Sequence, residues 1–272
     1  MKLQLALDDI TLEDALSLVR TVRDYIDIIE IGTPFVIEYG MEAVRVMKKE
    51  FPEKEILADL KIMDAGDYEA EEALKAGADY VTVLGVTDIL TVKGCIDAAN
   101  RYGKQVVVDM ICVEDMPKKI AQMEEIQAHI IAVHVGADQQ AAGREPLEDL
   151  KLMKECVKAA GVSVAGGING KTISDYTALR PDIVIVGSGI THALDPVAEA
   201  RKIYEAVHGG EQWCSSFHHA GADAASSRNS KERTGDNGAL NAKRGYVAGQ
   251  AGAALLQEAF PCDRYLWGST NV

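Results

Sequence analysis

The chain has 272 residues, 47% apolar and 26% charged, enough for one large domain core, with no apolar run near the 18 or so residues of a membrane span. Its 28 basic and 42 acidic residues leave a formal charge of −14, which excludes a broad basic face for nucleic-acid phosphates or anionic lipids but not a local anion site. Asp8 and Asp9 interrupt the start before it could serve as an export signal, and five cysteines without a CxxC pair fit reduced thiols, so the expected location is the cytoplasm.

Eight short β-branched runs follow one another, at residues 3–8, 26–31, 55–60, 80–84, 105–110, 130–135, 162–165 and 182–186. Between them apolar residues recur at helical spacing: Leu12, Ala15, Leu16, Val19 and Val22 after the first run, and Val36, Ile37, Met41, Val44 and Met47 after the second. Each strand is therefore expected to be followed by a helix. Strand centres about 20 to 32 residues apart match right-handed βα crossovers, and continuously apolar strands imply a parallel sheet covered by helices. Eight such units predict a (β/α)8 TIM barrel. An open doubly wound sheet has less support, because no GxGxxG follows the first strand. Cys95, Cys112 and Cys156 read as core fillers.

A last helix at 196–207 ends before Gly209 and Gly210, which makes residues 1–210 a complete barrel. The composition then changes. Residues 211–272 hold six acids and six bases, no isoleucine, two valines and both tryptophans, with long stretches of Ala, Gly, Ser and Asn. Such a segment is expected to be a disordered or non-catalytic extension, with weak helical spacing only over 247–260.

In a parallel barrel the reactive groups gather at the carboxyl ends of the strands. Here those ends carry Asp8, Glu30, Asp59, Asp109 and His134, with Lys61 two residues beyond Asp59 and Asp64 on the following loop. Alternation along a strand would point Asp59 and Lys61 the same way, toward the barrel mouth. Glu30 and Asp59, from neighbouring strands, offer the oxygen ligands Mg²⁺ prefers, although a carboxylate–lysine ion pair without metal uses the same residues. The seventh strand runs into Gly166-Gly167 and the eighth into Gly187-Ser188-Gly189, the two places where such barrels bind phosphate through exposed backbone N–H groups. His134 suits a general base for a proton beside a carbonyl. His129 reads as a packing or locally hydrogen-bonded residue, and His192 and His208 as loop or helix-end residues.

This set resembles the orotidine 5′-monophosphate decarboxylase superfamily over about residues 1–208. The resemblance rests on Leu5-Ala6-Leu7-Asp8, Glu30-Ile31-Gly32-Thr33-Pro34, Asp59-x-Lys61-x-x-Asp64, Asp109-Met110-Ile111, the stretch from His134 to Gly143, and the two glycine turns. It implies an aldol condensation of formaldehyde with D-ribulose 5-phosphate, dependent on Mg²⁺, in formaldehyde fixation or detoxification. By the same likeness Glu30 and Asp59 would hold the metal and His134 would act as acid and base. Lys61 would stabilise charge, with Asp8, Asp64 and Asp109 orienting hydroxyls or the metal shell. Gly166, Gly167, Gly187 and Ser188 would hold the phosphate, Ser188 departing from the glycine expected there. Relatives are homodimers with shared active sites, in which the residue matching Asp64 reaches the neighbouring site. A decarboxylating branch acts on 3-keto-L-gulonate 6-phosphate and carries an arginine shortly after the histidine, where this chain has Val135-Gly136-Ala137. A barrel that binds a sugar phosphate without turnover is the third possibility.

Overall fold

The computed structural model describes residues 1–209. Strands β1 (Lys2–Leu7), β2 (Ile28–Ile31), β3 (Glu55–Ile62), β4 (Tyr80–Leu84), β5 (Gln105–Asp109), β6 (Ile130–His134), β7 (Gly161–Ala165) and β8 (Ile183–Val186) each pair in parallel with the next. β8 pairs with β1, Val186 opposite Leu5, and closes the barrel. The helices are α1 (Leu12–Val22), α2 (Thr33–Tyr39), α3 (Met41–Glu50), α4 (Gly66–Ala76), α5 (Ile89–Tyr102), α6 (Met116–Glu125), α7 (Ala137–Ala141), α8 (Leu147–Cys156), α9 (Ile173–Thr177), α10 (Ser188–Thr191) and α11 (Pro196–Val207). The predicted TIM barrel is the observed fold, and each predicted strand lies within two residues of an observed one.

Each strand serves two cores. Ile28, Leu57, Tyr80, Val107, Ile130, Ala132 and Ile183 form one cluster inside the barrel. The alternate residues, among them Leu5, Ile29, Ile56, Val81, Val108, Ile131 and Val164, pack outward on the apolar stripes of the helices, such as Ala15 and Val19 of α1. Side-chain caps fix where several helices begin: Thr11 accepts from the Asp14 N–H, Asp88 from Leu90, Asp115 from Lys118 and Asp195 from Ala198.

Local expectations fail at three places. The apolar spacing from Val36 to Met47 is split between α2 and α3 at Gly40, whose φ of +58° favours glycine, and Ile37 is left 80% exposed. Cys112 is exposed instead of buried, because it occupies a left-handed turn after β5, and Cys156 is half-buried. β3 is irregular: its pairing with β4 shifts between Ala58 and Ile62, and Lys61 takes φ +48°. The extension expected at 211–272 lies outside the described residues.

Candidate active site

The carboxyl ends of the strands open on a cavity of about 290 Å³. Its walls include Asp8, Glu30, Asp59, Lys61, Asp109, His134, Gly166, Gly167, Gly187 and Ser188, which are all but one of the predicted site residues. The exception is Asp64, exposed on the loop after β3, where its Oδ1 accepts from the Ala65 N–H at 2.7 Å. It does not line the cavity of its own chain.

Asp59 and Lys61 meet, though not by regular strand alternation. A strand continuing past Asp59 would place the Lys61 N–H in the ladder. Instead the register shift and positive φ of Lys61 hand that N–H to the Thr82 hydroxyl at 2.9 Å, and the same hydroxyl donates to Asp59 Oδ1 at 2.7 Å. A left-handed non-glycine residue costs on the order of 1–2 kcal/mol, a strain that persists only where the surroundings enforce it. Here they do: the Lys61 ammonium binds Asp59 Oδ2 and, at 3.0 Å, the Thr33 hydroxyl. Burial works to raise Asp59, but the Lys61 charge and hydrogen bond, with the Thr82 and Thr33 hydroxyls, hold it below the usual carboxylate range. Burial likewise works to lower Lys61, and Asp59 outweighs it and holds the ammonium above its ordinary value.

Glu30, 8% exposed, has the opposite fate. Burial, then repulsion from Asp59, pushes it up to about 8 even though Gln4 Nε2 donates to its Oε2 at 2.6 Å. Burial and the Asp59 charge also raise Asp8. The cavity thus concentrates more negative charge than Lys61 neutralises. Glu30 and Asp59 fit a hard divalent cation on this chemistry: Glu30 Oε1 accepts no hydrogen bond among the described residues, and the buried Gln4 Oε1 lacks a partner. Among the described residues no three His, Cys, Asp or Glu side chains cluster so as to hold a metal ion by themselves.

Across the cavity, His134 Nδ1 lies 2.7 Å from Asp109 Oδ2, and Asp109 Oδ1 accepts from the Ile111 N–H at 2.9 Å. A carboxylate can only accept, so the proton sits on Nδ1 and the Nε2 lone pair is free to take a proton. The two turns after β7 and β8 complete the walls. Gly166 and Gly167 have φ of +128° and +68°, and a Cβ on Gly166 would lie 2.8 Å from the Val135 carbonyl. The N–H groups of Gly166, Gly167, Gly187 and Ser188 donate to no backbone or side-chain acceptor among the described residues. Unpaired backbone donors of this kind are what an anion site uses.

Residues beyond the predicted set also matter. Gln4, Thr33 and Thr82 hold the acids in place; Gln4 lies four residues before Asp8 in the alternation of β1 and Thr33 within the Glu30–Pro34 stretch, whereas Thr82 carried no signal. His192 does end a helix, as expected, but it also lines the cavity. His129 matches its reading, its Nδ1 accepting from the Val106 N–H at 3.1 Å.

A closed (β/α)8 barrel with an acid–lysine pair, a histidine held by a carboxylate and two glycine turns at the carboxyl ends of its strands is an enzyme architecture. The family model described as "Orotidine 5'-phosphate decarboxylase / HUMPS family" matches residues 1–203, and the chain belongs to that family. It is 46% identical over 209 residues to the 3-hexulose-6-phosphate synthase of Staphylococcus haemolyticus, covering 77% of this chain and all of the relative. The crystal structure of 3-hexulose-6-phosphate synthase from Salmonella typhimurium is 55% identical, with a TM-score of 0.76 over 76% of this chain and 99% of that one. KGPDC from Streptococcus mutans is more distant, 28% identical with a TM-score of 0.67 over 76% and 97%. The chain is thus an enzyme, similar to lyases of the 3-hexulose-6-phosphate synthase kind.

Proposed function

We propose that the enzyme condenses formaldehyde with D-ribulose 5-phosphate to D-arabino-hex-3-ulose 6-phosphate through an enediolate, with Mg²⁺ as cofactor. The observation that carries this reading is one cavity holding a base (His134), a half-buried cation (Lys61) and the unpaired N–H groups of two glycine turns (Gly166, Gly167, Gly187, Ser188). His134 Nε2 takes a proton from C1, beside the ketone. The negative charge that develops on the enediolate oxygens is met by the Lys61 ammonium, fixed in advance by Asp59 and Thr33. C1 then attacks the formaldehyde carbon, the C=O π electrons move to oxygen, and that oxygen takes the proton held by His134. Mg²⁺, when bound by Glu30 and Asp59, supplies Lewis acidity beside the ketone. Asp109 keeps the imidazole in its working tautomer, and Asp8 orients substrate hydroxyls.

A homodimer with shared active sites belongs to this proposal. Its support is an exposed apolar set, Met63, Tyr68, Val86 and Leu90, on α4, α5 and the loops before them, beside the outlying Asp64. Packing of a second copy on that face would carry the partner subunit's Asp64 toward the cavity. Decarboxylation of 3-keto-L-gulonate 6-phosphate is disfavoured, since Arg144 pairs with Asp149 at 2.9 Å and does not line the cavity. The expected location remains the cytoplasm, for formaldehyde fixation or detoxification; among the described residues no helix is long and apolar enough to cross a membrane.

The test is an assay of purified protein with D-ribulose 5-phosphate and formaldehyde, with and without Mg²⁺. Formaldehyde consumption that requires both the sugar phosphate and the metal supports the reading, and its absence overturns it.

A further inference from the structure

Three basic side chains line the cavity, Lys61, His134 and His192, and each faces its own carboxylate: Asp59, Asp109 and Asp9. In two of these pairs, on the side of β3, β5 and β6, the carboxylate is buried and the base half-buried, and the reaction proposed above uses both. The third is different. His192 follows α10, directly beyond the turn that carries Gly187 and Ser188, and its Nε2 reaches across the mouth to Asp9 Oδ2 at 3.3 Å, on the loop after β1. Both side chains are open to solvent, 57% and 70% exposed.

The charge balance of the cavity makes that position matter. Asp8, Asp9, Asp59 and Asp109 line it against the single Lys61 ammonium, so a phosphate dianion entering at the glycine turns meets a negative field. Backbone N–H groups there supply direction and partial charge but no full positive charge. Among the described residues no arginine or lysine lines that end; Lys61, the one such side chain in the described lining, is tied to Asp59. Among the described residues His192 is therefore the one basic side chain in the lining beside the glycine turns that a phosphate could recruit as a hydrogen-bond donor. Its present partner is easily displaced, because an exposed ion pair contributes only about 0–1 kcal/mol. A dianion held at the same time by backbone N–H groups is a stronger acceptor than a solvated aspartate.

We propose that His192 is the side-chain ligand of the substrate phosphate and that it exchanges Asp9 for the phosphate when the sugar phosphate enters. The inference deepens the reading of the cavity as a sugar-phosphate site and rests on it. It assigns the two residues opposite effects: His192 promotes anion binding, whereas Asp9 competes with the anion for the same imidazole.

Binding of D-ribulose 5-phosphate and of inorganic phosphate, each followed by calorimetry, tests this together with steady-state kinetics. His192→Ala should weaken both ligands by about tenfold and raise KM more than it lowers kcat, the low end for loss of a charge-assisted hydrogen bond. His192→Lys, which places an ammonium there, should recover most of the affinity, while His192→Gln should not. Asp9→Asn should bind both ligands at least as tightly as the parent. Unchanged affinity in His192→Ala overturns the inference. So does equal weakening by His192→Ala and Asp9→Asn, which would mark the pair as a structural strap across the mouth. If the parent binds inorganic phosphate through His192 but neither binds D-ribulose 5-phosphate nor consumes formaldehyde, the proposed reaction fails and the phosphate ligand stands.

Discussion

His134 Nδ1 and Asp109 Oδ2 lie 2.7 Å apart, with the second Asp109 oxygen anchored on the Ile111 N–H. A buried carboxylate clamped to the backbone thus sets both the tautomer and the direction of the imidazole. His134→Ala should lower the rate by about 10² to 10⁴, the range for loss of a positioned acid–base group, while sugar-phosphate binding stays near the parent level. Exchange of the C1 proton with deuterated solvent, followed by NMR, should fall in parallel. Exchange at the parent rate would remove His134 from the role.

Lys61 lines the cavity and Asp64 does not, which gives shared active sites a direct check. Lys61→Ala and Asp64→Ala should each be nearly inactive alone. In a freely exchanging equimolar mixture, half the dimers are hybrids, and each hybrid has one site with both residues intact, so about a quarter of the parent activity should return. No recovery in mixtures shown to contain hybrids would place Asp64 outside the chemistry.

Gly32 lies directly against Asp8. A Cβ at that position would sit 2.1 Å from Asp8 Oδ1 and 2.6 Å from the Leu7 carbonyl, a backbone atom with nowhere to go. Gly32→Ala should cost about 1–3 kcal/mol of stability through overpacking. A misplacement of about 1 Å at the site can cost roughly 10²-fold in rate, so activity should suffer more than folding. Parent-like kinetics in this variant would show that the Asp8 position is unimportant.

Far from the cavity, Asp79 takes Lys48, Lys104 and the Ile56 N–H on one carboxylate. Burial works to raise it, but those three donors hold it below the usual carboxylate range. A group depressed in the folded state stabilises the protein above its unfolded value, near 4, and loses that contribution as the pH falls through the folded value. Asp79→Asn should therefore cost about 1–3 kcal/mol at neutral pH, the range for hydrogen bonds to charged groups, and progressively less in acid. Denaturant midpoints measured from pH 7 down to pH 3 check it; a gap that is constant with pH would contradict the assignment.

All eight strands and every proposed site residue precede residue 210, and the family model ends at residue 203. A chain shortened to residues 1–210 should therefore fold and keep full activity, because a barrel closes on its own strands. Thermal midpoint and formaldehyde consumption, compared with the full-length chain, decide this. A large loss in either would make residues 211–272 part of the enzyme.

Much of this protein is legible in the sequence because its determinants are local. The alternation of β-branched runs with helical stripes is a property of neighbours along the chain, so eight βα units, their order and the barrel follow from it, and with the barrel the rule that strand ends carry the chemistry. That placed Asp8, Glu30, Asp59, Asp109, His134 and both glycine turns at one mouth, as observed. Tertiary structure decided what depends on contacts between strands. Lys61 reaches Asp59 because Thr82 of β4 takes its N–H and a register shift turns the backbone to a positive φ. Gln4 selects Glu30, Thr33 bridges Asp59 and Lys61, and His192 meets Asp9, each across a gap of 26 or more residues. Such partners are set by the stagger of strands around a closed barrel, a three-dimensional quantity that no local period in the sequence encodes.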